Sequence, residues 1–121
     1  MNAKIGDIFW MSVIYPDTGE TETRPVVVYG FDEDNPLIAA FAAITRSEIR
    51  DFDGKYDKWK VPIFKYYEAN LDPSYVKANC IATVDKGIFD NIDYIGRMDR
   101  IDLKNVIKKI EEFINSDDEP W

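Results

Sequence analysis

Short apolar runs separated by polar turns occupy most of this chain, and a single helical stripe closes it. GDIFWMSVIY, residues 6–15, is rich in β-branched and aromatic residues and predicts a strand. PDTGE follows, with the Pro, Asp and Gly of a turn. Residues 25–29 predict the returning strand, with Pro25 tolerated at its first position. After the polar loop GFDEDNP comes LIAAFAAIT, residues 37–45. Its alanines would permit a helix, but its length, the preceding proline and the polar stretch after it favour a central strand.

Residues 47–58 are charged and polar and predict a long loop. In KWKVPIF, Trp59, Val61 and Ile63 alternate with Lys60 and Pro62, which predicts a short strand at a sheet edge. Residues 69–74 read as another loop. VKANCIATV (76–84) and DYIGR (93–97) are further strands, separated by DKGIFDN. Leu103, Val106, Ile107, Ile110, Phe113 and Ile114 recur at helical spacing and predict one apolar stripe. Asp99 is placed to cap this helix, with Asp102 three residues on in a capping box, and Lys108 and Lys109 lie toward the favourable C-terminal end. Five to seven strands and one helix predict a mainly β fold, a small partly open barrel with the helix laid across it. Residues 1–115 form one domain in this reading. The acidic tail SDDEPW, residues 116–121, is expected to be disordered.

Composition narrows the chemistry. At 121 residues the chain suits one domain with a real core. No apolar run is long enough to cross a bilayer, so no membrane association is expected. MNAKIGDIF lacks a signal-like apolar core, and Cys80 is the only cysteine, which together suggest a reducing cytoplasm. The absence of histidine excludes histidine triads, histidine metal sites and paired-histidine ribonucleases. No metal or cofactor is expected. The net charge of −8, with a pI near 4.5, argues against a general nucleic-acid binder. Residues 46–65 run the other way, with six basic against four acidic side chains.

Four features occur in order. They are Gly-Asp-Ile at the first strand with Arg24-Pro25 before the second, AAITR ending the third, VPI after the charged loop, and ATVDK…YIGRMDRIDLKNVIKKIEEFI. In this order and spacing the chain resembles the MazF/PemK family of toxin endoribonucleases, over roughly residues 6–114. The resemblance implies an SH3-like barrel, commonly a homodimer, that cuts single-stranded RNA without a metal and is held in check by a small antitoxin protein. It implies Arg24 and Thr45 as the catalytic pair. Thr23, Glu20 and Arg46, with Lys55 and Lys58 on the charged loop, become candidate substrate-binding residues; Glu22 is an alternative to Glu20. Where many relatives carry Gln-Ile-Arg, this chain has Cys80, Ile81 and Ala82.

The residue types fit that chemistry. When a 2′-hydroxyl attacks the neighbouring phosphorus, negative charge builds on the phosphorane. A guanidinium fork can donate to two of its oxygens at once. Arg24 is therefore read as the electrostatic stabiliser, at the junction of loop and strand, and Thr45 as a hydroxyl that bonds the phosphate or relays a proton. Apart from the resemblance, each residue has a plainer reading. Arg24 is a solvated or ion-paired charge and Thr45 a β-former. Cys80 is a small buried hydrophobe, Trp10 and Trp59 belong to core or interface, and Lys55, Lys58 and Lys60 form a solvated face. The alternative function is a catalytically weak or inactive barrel that serves as a protein or nucleic-acid binding module.

Overall fold

The computed structural model describes residues 2–14, 18–51, 53–55 and 57–119. Tyr15, the turn residues Pro16 and Asp17, and the last two residues of the expected tail lie outside them. Six strands form one antiparallel sheet: β1 (Asp7–Ile14), β2 (Thr21–Phe31), β3 (Ile38–Thr45), β4 (Lys60–Pro62), β5 (Tyr75–Asp85) and β6 (Tyr94–Arg97). Their order is β4-β5-β3-β2-β1-β6, and the sheet is not closed between β4 and β6. One α-helix among the described residues, α1 (Arg100–Ile114), follows and lies against β4 and β5. The expected partly open barrel with a C-terminal helix is the fold observed, and β4 is an edge strand as Pro62 suggested.

Alternation along the central strands builds two apolar clusters. Ile8, Val27, Ala42 and Ile44 point into the cluster shared with Val106, Ile110 and Phe113 of α1. Phe9, Met11, Val26, Val28 and Phe41 point the other way and meet Phe89. Both sheet faces are thus covered, which is why Val26, Val27 and Val28 are all fully buried. Trp59 closes the first cluster edge-on to Phe113, with ring centroids 5.3 Å apart. Burying Val106, Ile110 and Phe113 contributes on the order of 1.5–3 kcal/mol each.

Several details differ from the sequence reading. Strand β2 starts at Thr21 rather than Pro25, because Thr21 to Arg24 pair with Ile14 to Met11 of β1. Arg24 therefore stands within a strand and not at its junction with a loop. Short 3-10 helices occupy Tyr66–Ala69, ahead of most of the expected loop 69–74, and Lys86–Asp90, within the DKGIFDN stretch that separates two strands. The apolar stripe of α1 is narrower than its spacing suggested, since Ile114 is exposed. Asp99 caps α1 as expected, accepting from the N–H groups of Ile101 and Asp102. Asp102 forms no capping box. Its carboxylate is buried and accepts from the backbone N–H groups of Phe64 (3.1 Å) and Lys65 (2.9 Å), fastening the helix to the segment after β4.

The Gly96 of the YIGR stretch also has a physical reason. A Cβ there would lie 2.5 Å from the carbonyl oxygen of Ala69. Only glycine lets β6 come this close to the turn at Asn70, whose side-chain amide donates to Ile95 O (2.9 Å). Asn70 itself takes the left-handed conformation, at φ 58°, that asparagine tolerates best among residues with a side chain.

Candidate active site

The pairing of β2 with β3 stops at Val26 and Ala43, although both strands continue. The first half of β2 stays with β1 as far as Thr21, while the end of β3 stays with β5 as far as Thr45. The two strands fork at Pro25, a residue with no N–H to give to a ladder. The fork opens into a cleft of about 510 Å³. One wall is Trp10 with Glu22 to Pro25, the second is Ile44 to Ser47, and the third is Asn70, Leu71, Asp72 and Ser74.

On the β2 wall, Arg24 is about one-quarter exposed, and its Nε donates to the Glu22 carboxylate at 2.7 Å. The two are neighbours because residues two apart share one face of a strand. Thr23 lies between them with its hydroxyl 3.3 Å from that of Ser12. On the facing wall Thr45 is buried, 6% exposed, and its Oγ1 accepts from the Ser47 N–H at 3.1 Å. Arg46 is exposed and pairs with Asp72 across the cleft at 3.5 Å. Ser74 is buried and donates to the Asp72 carbonyl at 2.7 Å, which fixes the third wall.

Arg24, Thr45, Thr23 and Arg46 are brought together; Glu20, Lys55 and Lys58 are not among the residues lining the cleft. Glu22, the alternative to Glu20, is the residue that lines it. Lys58 instead pairs with Asp118 at 3.0 Å, and the same carboxylate accepts from the Trp59 indole at 2.8 Å. These bonds hold the Asp118 carboxyl below its ordinary value. Trp59 belongs to the core, whereas Trp10 is nearly half exposed at the lip of the cleft. Cys80 is fully buried, and none of Cys80, Ile81 and Ala82 lines the cleft.

The charged loop corrects one expectation. Lys60 is not on a solvated face; its side chain is only 6% exposed. Its Nζ donates to Asp57 Oδ1 (2.6 Å), Ser47 Oγ (3.1 Å) and Glu48 O (3.3 Å). The Lys60 ammonium and the N–H groups of Arg50 and Asp51 lower the Asp57 carboxyl to about 2, so this anchor is ionised throughout the neutral range. Sequence spacing gave no sign of Ser47, Asn70, Asp72 or Ser74 as cleft residues. Extending the alternation of β2 back two residues from Arg24 would have selected Glu22.

A family model described as PemK-like, MazF-like toxin of type II toxin–antitoxin system matches residues 4–114. No curated protein sequence matches the chain. Among solved structures, a MazE–MazF complex from Deinococcus radiodurans superposes with a TM-score of 0.66 at 14% identity, covering 94% of this chain and 96% of that one. An endoribonuclease from a Mycobacterial species gives 0.65 at 14% identity, covering 100% and 96%. A Mycobacterial endoribonuclease with its cognate antitoxin gives 0.59 at 14% identity, covering 99% and 97%. At these identities the structural likeness speaks for the fold.

Proposed function

Because the chain belongs to the PemK-like, MazF-like toxin family of type II toxin–antitoxin systems, we propose that it is an endoribonuclease toxin that cuts single-stranded RNA in the cleft between β2 and β3. The observation that carries this reading is the presence of Arg24 and Thr45 on facing walls of one cleft. In the proposed reaction the 2′-oxygen forms a bond to the adjacent phosphorus and the bond to the 5′-oxygen breaks. The 2′-hydroxyl loses its proton and the leaving 5′-oxygen gains one. The products are a 2′,3′-cyclic phosphate and a 5′-hydroxyl.

Arg24 supplies the positive charge that the phosphorane requires, with Glu22 holding the guanidinium in orientation. The same carboxylate, which lines the cleft, takes the 2′-hydroxyl proton in this scheme. Thr45 donates its hydroxyl to a phosphate oxygen from the opposite side. Trp10 offers an exposed ring on which an unpaired base can stack. No step in this scheme calls on a metal. The partner in this reading is a small antitoxin, and the working form is a homodimer in the cytoplasm. A Mycobacterial endoribonuclease of the same fold is known with its cognate antitoxin, which supports the pairing.

The test is incubation of the purified chain with a long, weakly structured RNA in excess chelator. The expected result is discrete fragments with cyclic-phosphate and 5′-hydroxyl ends. Intact RNA, or 5′-phosphate ends, contradicts it. Intact RNA would favour a second reading, a binding module of the same fold, for which the −8 net charge and the pairing of both cleft arginines with carboxylates speak.

A further inference from the structure

The buried Lys60 has no role in the chemistry above, and burying an ammonium is costly unless its protons are all matched. Here they are: three protons meet Asp57, Ser47 and the Glu48 carbonyl. The acceptors come from both ends of the charged loop, so one side chain fixes the loop's departure from β3 and its return to β4. Of the three acceptors, Ser47 is the one that lines the cleft. Its own backbone N–H donates to Thr45 Oγ1 at 3.1 Å.

That bond decides what the Thr45 hydroxyl can do. A hydroxyl has one proton and two lone pairs. The Ser47 N–H occupies a lone pair, and among the described residues nothing accepts the proton. The proton is left to be donated to an oxygen in the cleft, at a side chain that is 6% exposed and so held in one place. We propose that Lys60 is a positioning residue: by pinning Ser47 it sets Thr45 as a hydrogen-bond donor toward the scissile phosphate. This rests on the nuclease reading for its consequence, though not for its geometry.

The test uses Ser47→Ala, which removes the oxygen that Lys60 holds but keeps the N–H, and Lys60→Met, which keeps the volume. Ser47→Ala should lower kcat about tenfold with KM within about twofold, and Ser47→Thr should restore it. In a Thr45→Val background the same change should cost nothing further, because the two residues act as one unit. Hydrogen exchange at the Ser47 amide is measured alongside. It should quicken about tenfold in Ser47→Ala and in Lys60→Met, with Ala42 in mid-sheet unchanged. Independent losses in the double variant, or unchanged exchange at Ser47, overturn the proposal. If the wild type cuts no RNA, the exchange measurement alone decides the positioning, and the intact RNA counts against the nuclease reading instead.

Discussion

Arg24→Ala is expected to slow RNA cleavage by about a hundredfold or more, the cost of removing one donor aimed at developing negative charge. The loss should fall on kcat, since the phosphorane needs the guanidinium more than the ground-state phosphodiester does. Arg24→Lys should recover only part of it. An ammonium keeps the charge but cannot present two parallel donors in one plane. Stability should change by less than about 1 kcal/mol in either variant, because the Arg24–Glu22 pair is partly exposed and such pairs are worth little to folding. A rate assay beside a urea melt separates the two effects. An Arg24→Ala chain that is folded and cuts at the wild-type rate would remove Arg24 from the mechanism.

Asp102→Ala should give the opposite pattern, a large loss of stability with no direct part in the chemistry. The carboxylate is 2% exposed and accepts from two backbone N–H groups thirty-seven and thirty-eight positions earlier in the chain. Alanine removes the side-chain acceptor that both donors share in a partly buried place. The expected cost is about 2–4 kcal/mol, read from the shift in the urea midpoint. Asp102→Asn should be milder, since its amide oxygen can still accept from one of the two. A midpoint unmoved by alanine would mean that packing of Val106, Ile110 and Phe113 alone holds α1 in place.

The strands and the helix were legible because their signals are local. A β-branched run such as Val26 to Val28 suits a strand covered on both faces, and the spacing of Val106, Ile110 and Phe113 needs no knowledge of what they touch. The cleft was not legible in the same way. Its third wall, Asn70 to Ser74, is brought there by Gly96 of β6, and nothing near residue 70 in the sequence points to residue 24. Arg24 and Thr45 entered through the family resemblance, and the fork between β2 and β3 is what gives them a shared cavity. Beginning the second strand at Pro25 left Glu22 only as an alternative to Glu20, because the alternation was not carried back past the proline. Lys60 was misread for a general reason. A lysine is solvated by default, and burial requires acceptors that only the folded loop assembles around it.

The acidic balance of the chain also takes on a local meaning. Three of its negative charges, Glu22, Asp72 and Asp57, hold cations at or beside the cleft. In the proposed function, an RNA phosphate entering the cleft meets Arg24 and Arg46, each already oriented by a carboxylate.

The claim that this cleft receives an RNA phosphodiester is tested most directly by nuclear magnetic resonance. The titrant is a short single-stranded RNA whose 2′-hydroxyls are methylated, so that the nucleophile is blocked and the chain stays whole. The account predicts concentration-dependent shifts at the Trp10 indole, the Arg24 Nε–H, the Ser47 amide and the Asn70 side chain, all from residues that line the cleft between β2 and β3. Shifts confined to the loop around Lys55 and Lys58, or to the face of α1, with those four signals unmoved, would contradict it.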